Sequence, residues 1–122
     1  MKYVAICFAL ATMLSAGICF AAEPVPEVPV KGMVTVVDLG AKTCIPCKMM
    51  VPVLDAMEKQ YQGKASVVFI DVRENPAQAP KFGIKTIPTQ IFYDKNGNET
   101  YRHEGFLDQK PFAEMIDKLL AN

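Results

Sequence analysis

The fold is decided by V-V-D-L-G-A-K-T-C-I-P-C-K-M-M-V-P-V-L-D, residues 36–55, which passes from a strand pattern to a helix pattern. The strand begins slightly earlier, because residues 33–39 are β-branched and almost continuously apolar, as is typical of a strand buried on both faces. After a turn at residues 40–43, apolar side chains at helical spacing predict a helix over residues 44–62: Met50, Val53, Leu54, Met57 and Tyr61. The stretch therefore places a pair of cysteines where a buried strand gives way to a long helix.

Downstream patterns complete the architecture. Residues 65–71 are a second apolar strand, and strand, helix and strand together predict a right-handed βαβ unit with parallel strands. Residues 75–82 open on Asn-Pro and predict a short helix, while residues 89–93 and 99–103 flank an Asn-Gly hairpin turn. A last amphipathic helix follows Asp108, which can cap it. The order β-α-β-α-β-β-α predicts an α/β fold: a central mixed four-stranded sheet with helices on both faces.

The N-terminal residues predict an address label and a linker. Lys2 is the only charged side chain among residues 1–22, whose apolar run favours a cleaved signal peptide, with an uncleaved membrane anchor as the alternative. Residues 23–32 are rich in proline and predict a linker, either a disordered tail or a semi-rigid spacer, although residues 28–30 also fit a short edge strand. We therefore expect an exported protein, in the bacterial periplasm, whose single domain spans residues 33–122.

The charge balance excludes one class of partner. The chain has 13 basic and 13 acidic residues, and the part after the leader carries a net charge near −1. There is no basic stripe and no arginine cluster, so nucleic acid is not an expected partner. No internal repeat is present, and we expect a monomer.

The cysteines point to redox chemistry. Cys7 and Cys19 lie in the leader, which leaves Cys44 and Cys47 at C-x-x-C spacing. A disulfide across so short a loop removes little chain entropy, so stability is a poor reason for it. The N-terminus of a helix favours the thiolate of Cys44, and Cys47, one turn on, is placed to attack a mixed disulfide formed there. Pro46 fits the first turn of the helix and stiffens it.

A metal site is the competing interpretation of C-x-x-C. Tetrahedral zinc needs four ligands, and the sequence has no second cysteine pair and only one histidine, His103, which we expect to be a solvated strand residue. Monovalent copper needs fewer soft ligands and is less firmly excluded. The prediction is a site without metal or cofactor.

Asp38 and Pro88 each allow a structural and a functional interpretation. An acid within an apolar strand fits an edge position, but beside a buried thiol a desolvated Asp38 carboxylate can take and return the proton of Cys47. Pro88 fits the first position of a strand, or a cis peptide bond.

Residues 36–55 resemble the active-site segment of thioredoxins, as do N-P-A-Q-A-P-K-F-G-I-K-T-I-P-T, residues 75–89, and E-G-F-L-D-Q, residues 104–109. The resemblance runs from about Met33 to the C-terminus and implies a thioredoxin-like fold. It implies roles for four residues, namely an attacking thiol, a resolving thiol, a buried acid and a cis-proline facing the disulfide: Cys44, Cys47, Asp38 and Pro88. It also implies a substrate groove lined by Ile45, Pro46, Ile87 and Gly105.

Three positions depart from the family pattern. Thr43 and Ile45 stand where thioredoxins usually have tryptophan and glycine, and Phe69 stands where a lysine often partners the buried acid. We therefore expect the pKa of Asp38 to be higher than is usual in the family.

Three functions follow from these residues. The first is a reductase for disulfides of extracytoplasmic proteins, recharged by a transmembrane thiol–disulfide electron carrier. Ile-Pro between the cysteines lacks the histidine of strongly oxidising relatives, and Ile87 is the residue that reducing types have before the proline. The second is a disulfide oxidase or isomerase, which the oxidising compartment favours. The third, a copper-binding metallochaperone, is the least favoured.

Overall fold

The computed structural model describes residues 24–122. The predicted leader, with Cys7 and Cys19, lies outside the described residues, as does Glu23. Between residues 24 and 122, no helix combines the length and the apolar character that crossing a membrane requires.

The elements follow one another in the predicted order. They are β1 (Val34–Gly40), α1 (Ile45–Gln60), β2 (Ala65–Asp71), α2 (Gln78–Phe82), β3 (Thr89–Tyr93), β4 (Glu99–Glu104) and α3 (Gln109–Leu120). Strand β1 pairs with β2 in parallel and with β3 antiparallel, and β3 pairs with β4 antiparallel, so the sheet order is β2-β1-β3-β4. The predicted α/β fold with a mixed four-stranded sheet is confirmed.

Two helix starts differ from the prediction. Cys44 is the N-cap of α1 and not its first helical residue. Helix α2 begins at Gln78 and not at Asn75, because the backbone and side-chain amides of Asn75 both donate to the Asp71 carbonyl oxygen. The carboxylate of Asp71 also accepts hydrogen bonds from the backbone N–H groups of Arg73 and Glu74. Residues 72–77 are therefore held in turns and bends, and the helix begins after them. Asp108 is the N-cap of α3, but its side chain makes no capping hydrogen bond.

The two faces of the sheet are buried against different helices. Successive side chains of β1 alternate between faces: Val34 and Val36 join a core cluster with α1 and α3, and Val37 and Leu39 join a second cluster with Phe82 of α2. We call the first of these the α1 face of the sheet and the second the α2 face. Because both faces are covered, β1 is buried throughout, as its continuous apolar pattern predicts.

The segment predicted as a linker packs against the domain where the structure describes it. Val25 and Val28 lie against the core cluster of the α2 face, and the Val30 backbone N–H donates to Thr35 Oγ1 at 3.0 Å. Residues 28–30 do not form the expected edge strand. The described part of residues 23–32 is therefore neither a free spacer nor a disordered tail, because its valines extend the hydrophobic burial of the α2 face.

Candidate active site

Cys44 and Cys47 form a disulfide at the N-terminus of α1, with their Cα atoms 5.1 Å apart. Cys44 has extended backbone geometry, and its Sγ accepts a hydrogen bond from the Cys47 backbone N–H at 3.3 Å. The Cys44 side chain is half-buried, whereas Cys47 is only 3% exposed. Cys44 is thus the sulfur that another molecule can reach, and a backbone N–H is already directed at it, as a thiolate needs.

Asp38 is fully buried and lies on the sheet face against which Cys47 packs. The side chain of Asp38 points to the same face as position 40, two residues on. A Cβ atom at Gly40 would come within 3.3 Å of Cys47 Sγ, which identifies that face and explains why a glycine fits there. Burial raises the pKa of Asp38 from 3.8 to about 6, against a smaller lowering effect of a hydrogen bond from Gln90.

Gln90 is the site residue that sequence reasoning missed. It is fully buried, lies opposite Asp38 in the β1–β3 register, and donates from Nε2 to Asp38 Oδ1 at 2.6 Å. The signal in the sequence was a single amide side chain in the apolar strand T-Q-I-F-Y, two positions after Pro88. It is also two positions before the core residue Phe92, so the two side chains lie on the same face of the strand.

The predicted groove residues fall into two groups. The Ile87–Pro88 peptide bond is cis, Pro88 is buried, and the Gly105 backbone N–H donates to the Pro88 carbonyl oxygen at 2.8 Å. Ile45 and Pro46 lie instead at the start of α1, beside Cys44, where Ile45 is 75% exposed. The structure thus brings Pro88 and Gly105 together and exposes Ile45 next to the disulfide. That Pro88 faces the disulfide stays a prediction.

The loop before Cys44 is held by Asp71 at the end of β2. The Asp71 carboxylate accepts the backbone N–H groups of Lys42 at 3.0 Å, Arg73 at 2.8 Å and Glu74 at 3.1 Å. Burial opposes its ionisation, but these hydrogen bonds together lower the pKa of Asp71. Arg73 also donates from its guanidinium to Thr43 Oγ1. Thr43, which replaces the usual tryptophan, therefore holds the Arg73 guanidinium next to the reactive cysteine.

A cleft of about 340 Å³ runs beside Cys47, between α1 and β2, with Val51, Leu54, Val67 and Phe69 among its apolar lining. Phe69 is the β2 partner of Asp38 in the sheet register. The position at which the family pattern often has a lysine therefore contributes an aromatic ring to this cleft and no positive charge.

The described residues contain no group of three or more histidine, cysteine, aspartate or glutamate side chains arranged to hold a metal ion. The ring of His103 lies on β4, with Nε2 3.0 Å from the Phe106 carbonyl oxygen.

A dithiol pair at a helix N-terminus, with a buried carboxylate on the facing strand, defines a class of protein: the thiol–disulfide oxidoreductases. The family model described as Thioredoxin matches residues 27–118. The thioredoxins of Staphylococcus aureus strains Mu50 and N315 are each 41% identical to this chain over 91 residues, which is 75% of this chain and 86% of theirs. The crystal structure of chloroplastic thioredoxin z matches with a TM-score of 0.68 and 29% identity, over 75% of this chain and 81% of that one.

The chain belongs to the thioredoxin family. It is accordingly a thiol–disulfide oxidoreductase whose substrates are protein disulfides, and the close-spaced Cys44–Cys47 pair fits the active site of the family.

Proposed function

We propose that this protein is a reductase for disulfides of extracytoplasmic proteins, with Cys44 as the attacking thiol and Cys47 as the resolving thiol. The observation that carries the assignment of roles is the difference in exposure: Cys44 is half-buried at the N-cap of α1, whereas Cys47 is 3% exposed beneath it. An intermolecular disulfide can form only at a sulfur that a substrate reaches, and the buried thiol then acts intramolecularly.

The proposed reaction has two exchanges. The Cys44 thiolate attacks one sulfur of the substrate disulfide, forms a mixed disulfide and releases the other substrate sulfur as a thiolate, which takes a proton. Cys47 gives its proton to Asp38 and attacks Cys44 Sγ, so that the Cys44–Cys47 disulfide forms and the second substrate sulfur leaves. The protein loses two electrons and the substrate gains them. Asp38 suits the proton transfer because a pKa of about 6 leaves it mostly ionised, yet still basic, at neutral pH.

The residues between the cysteines support the reducing direction. A strong oxidant of this class has a potential near −120 mV because its reduced, thiolate form is stabilised. Ile45 and Pro46 bring no charge and no hydrogen-bonding side chain to the Cys44 sulfur. These two residues therefore add nothing to the stabilisation that the helix terminus gives the thiolate, and we expect a couple near the thioredoxin value of about −270 mV.

The proposed substrate groove uses an apolar contact and a backbone contact. The exposed side chain of Ile45, with Pro46, would lie against the substrate next to its disulfide. The Ile87 backbone, beside Pro88 and Gly105, would pair with an extended substrate strand, as the edge of a sheet does. Both contacts are largely independent of substrate sequence, which suits a reductase that acts on many proteins.

The proposed location and electron source depend on the N-terminal residues. The composition of residues 1–22 supports export to the periplasm, as a soluble or a tethered monomer. Outside the cytoplasm a reductase needs a donor that brings electrons across the membrane, so a transmembrane thiol–disulfide carrier is the proposed partner.

A trapping experiment tests the proposed roles. Cys47→Ala leaves Cys44 able to attack but removes the resolving thiol, so mixed disulfides with oxidised substrate proteins should accumulate. Cys44→Ala, the matched control, should accumulate none through the active site, because Cys47, the remaining cysteine among the described residues, is buried. Stable adducts in the Cys44→Ala protein would reverse the assignment.

A further inference from the structure

A row of polar side chains crosses the α1 face of the sheet. Asp38 on β1 pairs with Gln90 on β3, and Gln90 pairs with His103 on β4. Side chains directly opposite each other on antiparallel strands lie on the same face, with Cβ atoms about 4.5–5.5 Å apart. Asp38 and Gln90 are both fully buried, so the sheet buries an acid–amide pair in a layer where the neighbouring side chains are apolar.

The pair satisfies only part of its hydrogen-bonding capacity. Gln90 Nε2 donates to Asp38 Oδ1 at 2.6 Å, but Asp38 Oδ2 and Gln90 Oε1 have no hydrogen-bond partner among the described residues. A leucine at position 90 would bury no polar atom, so hydrophobic packing does not explain the glutamine. What the amide supplies is one directed N–H group at one carboxylate oxygen.

We propose that Gln90 is a positioning residue for the buried acid: its amide holds Asp38 by Oδ1 and thereby leaves Oδ2 free to take the proton of Cys47 and to return it. This inference rests on the roles of Asp38 and Cys47 proposed above, and not on the net direction of electron flow.

The chemistry explains why one oxygen is held and the other is left free. In the resolving exchange, the Cys47 S–H proton passes to Asp38 Oδ2 and the Cys47 sulfur bonds to Cys44 Sγ. The bond from Cys44 to the substrate sulfur breaks, and the substrate sulfur leaves with the electron pair as a thiolate. An N–H donor stabilises the ionised carboxylate that accepts this proton, and Gln90 lowers the pKa of Asp38 against the raising effect of burial. Without Gln90, Asp38 would be protonated, and therefore unable to act as a base, up to a higher pH.

The groups that face Asp38 set the design of a pH experiment. Phe69 lies opposite it on β2 and Gln90 on β3, with His103 next in the row on β4, and Cys47 packs against this face from α1. Besides Asp38, the titratable groups of this set are Cys47 and His103. A shift that belongs to Cys47 would persist in an Asp38→Asn background, and His103 has a control variant of its own.

The test measures the resolving exchange directly. Reduced protein is mixed with Ellman's reagent in a stopped-flow instrument, and release of the second thionitrobenzoate, which reports the attack of Cys47 on Cys44, is followed between about pH 5 and pH 9. In the wild type the rate should fall as the pH decreases and Asp38 takes up a proton, and we call this part of the pH–rate profile the acid limb. We expect Gln90→Leu to shift the acid limb toward higher pH. The rate should fall roughly three- to tenfold below pH 7 and match the wild type where Asp38 is ionised in both proteins.

Two control variants separate positioning from packing and from titration of the histidine. Ile91→Val removes a methylene from the neighbouring buried residue on the opposite face and should leave the acid limb in place. His103→Gln should also leave it in place, and a limb that moves in this variant would belong to His103 and overturn the proposal. If Gln90→Leu does not fold, Gln90→Met replaces it with the same expected result.

A double-mutant comparison decides whether Gln90 acts through Asp38. In an Asp38→Asn background, Gln90→Leu should change the resolving rate less than twofold, because the group that it positions is gone. An equal slowing in both backgrounds, or a slowing independent of pH, contradicts the proposal. If Asp38→Asn itself leaves the rate unchanged, then the role proposed for Asp38 fails, whereas a slow Asp38→Asn beside a normal Gln90→Leu refutes Gln90 alone.

Discussion

The two faces of the central sheet use the same strands in opposite ways. On the α2 face the buried polar side chains of the strands, Thr35 and Thr89, are satisfied: Thr35 Oγ1 donates to the Met33 carbonyl oxygen and Thr89 Oγ1 to the Thr86 carbonyl oxygen, although Gln78 Oε1 on helix α2 has no partner among the described residues. On the α1 face, Asp38 and Gln90 are equally buried, and each keeps one oxygen without a partner among the described residues. Unsatisfied buried oxygens lower stability, so the α1 face combines packing with chemistry, whereas the α2 face serves as scaffold.

The largest expected effect on stability comes from a substitution on the α2 face. Leu39 is fully buried next to Asp38 in sequence, but its side chain points to the α2 face. Leu39→Ala should reduce the free energy of unfolding by about 2–5 kcal/mol, as measured by urea denaturation, because it leaves a cavity. The resolving rate of the folded protein should keep its pH dependence. A shifted acid limb in this variant would show that the two faces are not separable.

The α1 face should give the opposite result. Ionised Asp38 is less favourable in the folded protein than in the unfolded chain, since its pKa rises from 3.8 to about 6 on folding. The folded state therefore binds the extra proton, and its stability falls as the pH rises from about 4 to about 6. Asp38→Asn removes this penalty and should raise the free energy of unfolding by roughly 3 kcal/mol at pH 7, with little gain at pH 4.

Urea denaturation at both pH values measures that gain. Asp55→Asn is the matched control, because Asp55 is an exposed carboxylate on α1 and its replacement should change stability by less than about 0.5 kcal/mol. A gain in Asp38→Asn that is the same at pH 4 and pH 7 would contradict the electrostatic explanation. Slower reduction of protein disulfides should accompany the gain in stability, as expected when a buried carboxylate that lowers stability is kept for function.

The smallest expected effect on stability comes from the N-terminal segment that packs against the α2 face. Val28 is half-buried against the α2-face cluster, whereas its neighbour Glu27 is exposed. Val28→Ala should reduce the free energy of unfolding by about 1 kcal/mol, because it removes the partly buried methyl groups of the valine side chain. Glu27→Ala should have no measurable effect. Equal unfolding curves for both variants would show that the segment is a free linker.

The sequence was sufficient for the order of elements and insufficient for contacts between distant residues. The apolar run at 33–39 and the spacing along α1 predicted a buried strand and a helix because each pattern is local. The late start of α2 depends on Asp71 binding the amides of the residues that follow it, which no propensity of Asn75-Pro76 contains. The prolines of residues 24–30 indicated an extended backbone but not that Val25 and Val28 would have a surface to cover.

The candidate site shows the same limit. Cys44 and Cys47 could be identified from their spacing and from the helix that begins there, since that signal lies within one short segment. Gln90 could not be identified, because its role depends on lying opposite Asp38, 52 residues away along the chain. Pairings between strands are fixed by the register of the whole sheet, so a polar residue in a strand acquires its partner only when the fold is known.

Whether the protein is a reductase is decided by the equilibrium potential of the Cys44–Cys47 couple, titrated in dithiothreitol and glutathione buffers. A reductase whose Cys44 thiolate gains no stabilisation from the residues between the cysteines should have a potential near −270 mV. With Asp38→Asn and Gln90→Leu measured in parallel, the potentials should stay close to the wild-type value although the resolving rates fall. Asp38 is proposed to move a proton and Gln90 to position Asp38, and neither is proposed to hold the thiolate. A wild-type potential above about −180 mV, in the range of the disulfide isomerases and oxidases, would contradict the proposed reductase.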